Sequence, residues 1–194
     1  QVVKMMDWFL LWSDNQLSER MAKLAAKYSG NGFSDEGVAI TFAEILISFG
    51  INPAQIQVID ASGLSRQNKM TAHILAQLLY KIHSDPLLSK LINGLPISGK
   101  SGTLQSRYIK TAPDAVGLVK AKTGTLTGTV SLAGYVQSGD REYAFAIIAD
   151  KIGRTNSASD RARKTVDRYL AKIAAPLALP TPESATVTAQ VQTL

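Results

Sequence analysis

The chain has 194 residues, 45% of them apolar and 19% charged, a composition typical of a globular domain with a sizeable core. Its lack of cysteine excludes disulfides, thiolate nucleophiles and zinc–thiolate sites. The net charge of +6 could attract an acidic polymer, but the basic residues are scattered along the chain, so we do not expect nucleic-acid binding.

The first predicted element is a helix, because Val2, Met6 and Leu10 repeat at helical spacing. Its apolar run ends at Trp12, too short to span a bilayer, and lacks a signal-peptide cleavage pattern. We therefore expect a buried helix. Because the sequence begins at Gln1 and not at Met, we also expect a processed or truncated product.

A second helix is predicted to follow directly. Residues 13–16 read Ser-Asp-Asn-Gln and fit a capping box, with Ser13 as the N-cap. This places Ser13 at the joint between two helices. The second apolar stripe ends at Gly30 and comprises Leu17, Met21, Leu24 and Tyr28.

Further helices are predicted before the chain changes character. One begins at Thr41, with Glu44 as a capping partner, and stops at Gly50. Residues 71–82 form another, and Asp85-Pro86 opens a third that Gly94 and Pro96 end. The two histidines, His73 and His83, fall near one of these helices, where a structural or surface role is favoured over a metal site. We predict no metal and no cofactor.

Strands are predicted after Pro113. They span 117–125, 129–137 and 141–150, and Gly139-Asp140 joins the last two in a type I′ or II′ hairpin. The last strand is apolar on both faces, which predicts a sheet covered by helices on both sides.

The chain is predicted to end in an amphipathic helix, residues 157–174, followed by a low-complexity tail at 176–194. Residues 1–175 would then form one domain or part of one. The densest basic group lies on this helix and is interpreted as solvated surface charge: Arg161, Arg163, Lys164 and Arg168.

Two short motifs carry the chemistry. Lys122-Thr123-Gly124 lies on a predicted strand, where the charge and hydroxyl could bind a carboxylate and Gly124 would let a ligand approach the backbone. Ser13-Asp14-Asn15 lies at the helix joint. Taken alone, the first motif is better explained as a polar strand end and the second as a helix cap. Together, and in this order, they match two of the three motifs of penicillin-binding proteins and class A β-lactamases.

Four longer segments make the resemblance specific. They are Asp-Ala-Ser-Gly-Leu-Ser-Arg at 60–66, Ser-Gly-Thr-Leu at 101–104, residues 120–128 around the Lys-Thr-Gly motif, and Ser-Leu-Ala-Gly-Tyr at 131–135. On these, the sequence from about Val3 to Ala171 resembles the class C low-molecular-mass penicillin-binding proteins, the D-alanyl-D-alanine carboxypeptidase/endopeptidases. The resemblance implies an α/β (α+β) fold of the β-lactamase/transpeptidase type, an antiparallel sheet flanked by helices, incomplete in this chain.

The third motif of that family, Ser-x-x-Lys, is missing. No serine has lysine three residues on, and Ser65 and Ser106 have it four residues on. In the family this segment precedes Ser-Asp-Asn, so we expect the nucleophile upstream of Gln1, on a longer chain or on a second one. We also expect an exposed hydrophobic seam where that half docks.

The resemblance implies acyl transfer at a D-Ala-D-Ala amide of peptidoglycan, inhibited by β-lactams and located outside the cytoplasmic membrane, periplasmic or cell-envelope associated. Ser13 would relay a proton to the leaving amine, Asn15 would bind the substrate's amide backbone, and Lys122 would supply positive potential. Thr123 and Thr125 would hold the terminal carboxylate. The backbone N–H of Thr125 would form half of the oxyanion hole.

Two alternatives remain open. A class A β-lactamase would want Glu-x-x-Leu-Asn after Ser-Asp-Asn, and residues 44–47 fail that pattern. A non-catalytic binding module of the same fold would have lost the nucleophile. Three loop serines, Ser62, Ser98 and Ser101, are interpreted as turn formers that could line the cleft.

Overall fold

Helices occupy the first half of the chain and an antiparallel sheet the second, in the computed structural model, which describes residues 2–174. The helices in that range are α1 (Val2–Trp12), α2 (Asn15–Tyr28), α3 (Asp35–Ser48), α4 (Ala72–Ser84) and α5 (Asn156–Ala174). The strands are β1 (Val119–Leu126), β2 (Thr129–Ser138) and β3 (Arg141–Ala149). Short 3-10 helices lie at Pro53–Gln55, Leu88–Gly94, Gly102–Leu104 and Pro113–Ala115. The predicted tail at 176–194 lies outside the described residues.

The three strands form a meander in the order β1-β2-β3, as the sequence predicts. Val119 pairs with Val136 and Val130 with Ala149, so the strands are in register over nearly their whole length. Gly139 has a φ of 57° and Asp140 a negative φ, the combination that a type II′ hairpin requires. The tight turn therefore sets the register of β2 against β3.

Helices cover both faces of this sheet, which confirms the prediction from the apolar pattern of β3. On one face, Leu170 of α5 is fully buried in a cluster that includes Leu132 and Val136 of β2. On the other face, Tyr135 of β2 is buried and donates a hydrogen bond from its hydroxyl to the Leu79 carbonyl of α4, at 2.8 Å. The sheet is thus the central layer of the described structure.

A buried ion pair joins α5 to the loop before β1. Arg107 Nη2 lies 2.5 Å and Nε 3.3 Å from the two carboxylate oxygens of Asp167, whose side chain is 3% exposed. The same guanidinium reaches the backbone carbonyl of Arg163 at 3.5 Å. This two-pronged geometry satisfies a buried carboxylate and holds the helix at a defined height along the sheet.

The expectation of a buried N-terminal helix is wrong. None of the α1 residues is buried, and Trp8 and Trp12 are 55% and 44% exposed, with their rings 6.2 Å apart. The helix still contacts the fold along one line, where Gly94 leaves no room for a Cβ beside the Asp7 backbone. The exposed apolar side chains of α1 therefore form a surface that no other part of residues 2–174 covers.

The predicted start of the third helix is also wrong. α3 begins at Asp35, six residues before Thr41, with Ser34 as its N-cap and its hydroxyl accepting from Gly37 N at 3.0 Å. Thr41 lies inside the helix and donates to the Gly37 carbonyl. Glu44 is not a cap, because its carboxylate accepts from Asn31 Nδ2 at 2.8 Å. The Ser34 cap signal was the stronger one, since two acidic residues follow it and favour the helix N-terminus.

The segment before β1 pairs with only the first part of that strand. Ser98 N donates to the Val119 carbonyl, and Ala121 N donates to the Pro96 carbonyl, both at 2.9 Å. The Ser98 hydroxyl is fully buried and donates to the Ala115 carbonyl at 2.6 Å, so Ser98 is a structural residue and does not line a cleft. From Lys122 onward, the described residues form no backbone ladder with this edge of β1.

The loop at 60–66 is built around two partly buried carboxylates. Asp60 accepts hydrogen bonds from the backbone N–H groups of Gly63 and Ser65, and Glu19 of α2 accepts from those of Ala61 and Ser62 at 3.0 and 2.8 Å. Burial of the Asp60 carboxyl acts to raise its pKa, but the hydrogen bonds outweigh it and leave the pKa below its ordinary value. The loop is thereby fastened to α2.

Replacing Glu19 with alanine is expected to loosen the 60–66 loop, because the N–H groups of Ala61 and Ser62 lose their shared acceptor. Hydrogen bonds to charged groups contribute roughly 1.5–3 kcal/mol, so exchange of these two amides should accelerate by about tenfold or more. Amide hydrogen exchange measures this directly. Glu19→Gln keeps one carbonyl oxygen and should show a smaller change; equal exchange rates in Glu19→Ala and the unaltered chain would contradict the assignment.

Candidate active site

Ser13 occupies a left-handed joint between α1 and α2. Its φ is 61°, unusual for a residue with a Cβ, and its N–H still donates to the Phe9 carbonyl at 2.9 Å. The predicted capping role of Ser13 is wrong: the N-cap of α2 is Asp14, whose carboxylate accepts from Leu17 N at 3.0 Å. With capping assigned to its neighbour, the Ser13 hydroxyl is available for another partner.

That partner is Lys122 of β1. Lys122 Nζ donates at 2.6 Å to Ser13 Oγ, which lies 109 residues earlier in the chain, and at 3.0 Å to the carbonyl of the adjacent Thr123. No carboxylate of the described residues forms an ion pair with it. Burial lowers the pKa of the Lys122 ammonium from its ordinary value of 10.5. The structure thus places a desolvated cation against a serine hydroxyl.

The strand geometry of β1 directs backbone groups of the motif toward the open edge. Because Val119 and Ala121 use their outward-facing groups to pair with the preceding segment, the same alternation turns the N–H groups of Thr123 and Thr125 outward. Lys122 and Gly124 then project from the opposite face to Thr123 and Thr125. An open N–H at Thr125 is a donor that an extended ligand could meet.

Gly124 lies opposite Ser131, its partner on β2. A Cβ at this position would collide only with the Ser131 hydroxyl, which can rotate away, so packing alone does not demand glycine here. Its lack of a side chain leaves the surface of β1 between Lys122 and Thr125 open to a ligand.

Two hydroxyls of the motif are held by residues outside it. Thr123 Oγ1 donates to Thr103 Oγ1 at 2.9 Å, and Thr125 Oγ1 accepts from Arg163 Nη2 of α5 at 3.4 Å. Thr103 belongs to one of the segments that carry the family resemblance, but its spacing alone does not reveal this contact. Arg163 has no local signal at all, since it lies in a run of basic helix residues.

The structure brings some candidates together and leaves others apart. Ser13, Lys122 and Thr123 form one connected group of side-chain and backbone contacts. Asn15 is the first residue of α2 and is exposed, two residues from Ser13 but with no described side-chain bond to Lys122. Ser62 lies in the Glu19-held loop, and Ser101 accepts from Ile97 N at 3.1 Å, so both serve as turn residues.

An apolar cavity of about 310 Å³ lies directly beside the Lys122 side chain. Its walls come from α4, from the 3-10 helix at Leu88–Gly94 and from the sheet. The lining includes Leu10, Leu75, Leu79, Ile82, Leu91 and Ala133. The Lys122 ammonium is desolvated because its side chain lines this apolar cavity.

Three further observations concern metal ligands, membrane spans and His83 of α4. Within residues 2–174, no three His, Asp or Glu side chains converge as ligands for a metal ion. No helix in the same range has the length and apolarity needed to cross a membrane. His83 lies 2.9 Å from Glu142 and packs against Tyr135, a structural contact between α4 and the sheet.

Sequence comparison points to one peptidase family. The profile of the D-Ala-D-Ala carboxypeptidase 3 (S13) family matches residues 1–173. The chain is 40% identical over 149 residues to the carboxypeptidase DacB of Mycolicibacterium smegmatis, covering 74% of this chain and 32% of that protein. It is 36% identical over 146 residues to the D-alanyl-D-alanine carboxypeptidase of Actinomadura sp. strain R39, covering 72% of this chain and 27% of that protein.

The fold agrees with this assignment. It superposes on penicillin binding protein 4 (dacB) from Haemophilus influenzae with a TM-score of 0.75 and 27% identity, covering 86% of this chain and 38% of that one. A structure of the same protein complexed with a novel β-lactam gives a TM-score of 0.72. The predicted transpeptidase-like fold is confirmed.

The chain spans only about a third of the length of these curated relatives, at 32% and 27%. Within that part it carries the Ser-Asp-Asn and Lys-Thr-Gly motifs in contact with each other. The profile match over residues 1–173 and the identity to the curated carboxypeptidases together establish that the chain belongs to the D-Ala-D-Ala carboxypeptidase 3 (S13) family of serine peptidases.

Proposed function

We propose that this chain forms the substrate-binding half of a serine-type D-Ala-D-Ala carboxypeptidase/endopeptidase that acts on peptidoglycan stem peptides. The observation that carries the proposal is the 2.6 Å contact between Lys122 Nζ and Ser13 Oγ at the open edge of β1. It joins two motifs that neither helix capping nor strand packing requires to meet. An isolated chain without the nucleophile would be inactive.

In the proposed reaction, a serine outside this chain attacks the carbonyl carbon between the two D-alanines. The C–N bond breaks, the terminal D-alanine leaves with a proton, and water later hydrolyses the acyl ester. Ser13 passes the proton toward the leaving amine. The Lys122 ammonium donates to Ser13 Oγ and polarises that oxygen. It also adds positive potential to the site.

The substrate would lie along the open edge of β1 as an additional strand. The outward N–H of Thr125 would then supply half of an oxyanion hole, the nucleophile's own N–H completing it. The Thr125 hydroxyl would donate to the terminal carboxylate, and the Thr123 hydroxyl would do so after turning its proton away from Thr103 Oγ1. The Asn15 side chain, exposed at the start of α2, would bind the peptide backbone. A β-lactam would follow the same path and leave a stable acyl-enzyme.

We propose that the nucleophile belongs to polypeptide that seats in the apolar cavity beside Lys122. The cavity is lined mainly by leucines and isoleucines and also by Lys122, so apolar side chains from one face of an amphipathic helix could fill it while the helix presents a serine near Lys122. The exposed apolar surface of α1 would be covered by the same half. The two halves would then make up one domain, working outside the cytoplasmic membrane, where peptidoglycan lies.

The alternatives are less well supported. A β-lactamase of class A type would need a carboxylate free to activate water, whereas Glu44 is bound to Asn31 and lies on the exposed side of α3. Burying the Lys122 ammonium beside the Ser13 hydroxyl lowers the stability of the fold. A non-catalytic binding module would gain nothing in return for that cost.

Acylation by penicillin tests the proposal. We expect this chain alone to show no mass increase in intact mass spectrometry. The gene product that includes the coding sequence preceding this chain should gain one penicillin mass. Lys122→Met in that product should slow acylation by about 100-fold or more, because a preorganised electrostatic donor is lost. Acylation of the isolated chain, or an upstream sequence without Ser-x-x-Lys, would overturn the proposed function.

The pH dependence of acylation should report on Lys122. Because burial lowers its pKa below 10.5, the ammonium loses its proton at a lower pH than a free lysine, and acylation should decline as pH rises through that lowered pKa. Arginine stays charged over this range, so Lys122→Arg should be slower overall but lose this alkaline decline. Stopped-flow acylation from pH 6 to 11 measures both; an identical alkaline decline in Lys122→Arg would assign it to another group.

A further inference from the structure

One arginine of the basic group on α5 behaves differently from its neighbours. The inward-facing stripe of the helix contains Val166, Leu170 and Ala174, all buried, and Arg163 extends this stripe by one turn toward the N-terminus. Its side chain is 32% exposed, whereas Arg161 and Lys164 are classed as exposed. Arg163 is therefore less exposed than these two neighbours, although it keeps contact with solvent.

The guanidinium of Arg163 divides its hydrogen bonds between two partners. Nη1 lies 2.7 Å from Asp160 Oδ1, one turn earlier on the helix, and Nη2 lies 3.4 Å from Thr125 Oγ1 on β1. Asp160 thus orients the guanidinium through Nη1, and Thr125 accepts a hydrogen bond from Nη2. The contact connects α5 to the residue that ends the Lys-Thr-Gly-Thr run.

This contact decides what the Thr125 hydroxyl can do. A threonine hydroxyl has one proton to donate and two lone pairs to accept. Since Arg163 already donates to the oxygen, the hydroxyl proton must point elsewhere and is free to donate to an anionic group at the open edge. A hydroxyl that accepts from a cation is also a stronger donor, because the two bonds polarise each other.

The surroundings favour an anion at this end of β1. Arg154 and Arg163 line one cleft of about 360 Å³ with Thr125, the β1–β2 turn, and the polar side chains of Thr155, Asn156 and Ser159. Asp160, the partner of Arg163, does not line this cleft. Arg163 shares its charge with Asp160, whereas Arg154 forms no ion pair within residues 2–174, so the cleft carries a net positive charge.

We infer that Arg163 is a positioning and specificity-determining residue, which holds Thr125 as a hydroxyl donor and favours peptides with a free C-terminal carboxylate over peptides whose C-terminus is amidated or extended. The inference rests on the proposed function, and it deepens it by naming a residue that selects the carboxylate of the leaving D-amino acid. Lys122 supplies charge on the other face of β1, so Arg163 is not redundant with it.

The test compares two substrates in the gene product that includes the preceding coding sequence. One is a peptide ending in D-Ala-D-Ala with a free carboxylate, and the other is its C-terminal amide. Arg163→Gln should lower kcat/KM for the free acid by about tenfold, mainly through KM, and change the amide less than twofold. The preference of the unaltered protein for the acid should also fall as salt is raised.

Matched variants separate this role from a structural one. Arg161→Gln removes the same charge about 200° around the helix, where the side chain bonds Ser157, and should leave both substrates unchanged. Arg163→Lys should recover part of the preference. Asp160→Asn keeps the guanidinium and removes its counter-charge, so the preference for the acid should stay or increase.

The outcomes are distinct. An equal loss of kcat/KM for acid and amide in Arg163→Gln, or no loss for either, would overturn the inference while leaving the proposed function standing. A parallel loss in Asp160→Asn would likewise indicate that the pair only stabilises α5. If the unaltered protein neither cleaves the acid peptide nor is acylated by penicillin, the proposed function fails, and this inference fails with it.

Discussion

The contact between Lys122 and Ser13 is the constraint on which the arrangement of the chain depends. An ammonium half-buried at the rim of an apolar cavity must find oxygen acceptors, and here it has a serine hydroxyl and its own strand's carbonyl. The serine can serve only because it adopts a left-handed conformation that ends α1. Asp14 then begins α2, so one polar contact determines where two helices meet and where the sheet lies against them.

The edge of β1 shows how the rest of the fold serves this contact. Its first part is closed by the segment around Ser98, and its second part is left open. The 60–66 loop approaches from the far end, where Arg66 donates to the Thr127 carbonyl at 2.9 Å, while Glu19 fastens the same loop to α2. The two motifs are therefore linked twice, once directly and once through this loop.

The described surface has two apolar features that the proposed second part of the domain would cover. A helix with no buried residue and an apolar cavity beside a desolvated lysine both expose surface that a complete domain would cover. The relatives are about three times as long as the matched region, which agrees with a chain that carries one part of a larger unit. The core around α5 and the sheet, with its Arg107–Asp167 pair, is complete within the chain.

Local pattern determined much of this protein. The strands, a tight turn at Gly139-Asp140, the helices covering both faces and the two motifs could all be predicted, because hydrophobic period and turn chemistry act over a few residues. The family could be identified from the longer segments. Local pattern failed for α1, whose apolar residues indicate burial but do not identify the surface that covers them. It also failed at Ser13, because the cap of α2 is the next residue, Asp14.

Tertiary structure decided the contacts that lie far apart in sequence. The pairing of Ser13 with Lys122, the support of the 60–66 loop by Glu19 and the reach of Arg163 to Thr125 each join residues separated by 38 to 109 positions. No periodicity encodes such a meeting, because it depends on how α2, α5 and β1 pack together. The sequence by itself thus determined which groups are present and what chemistry they can perform, while packing alone decided which of them share a site.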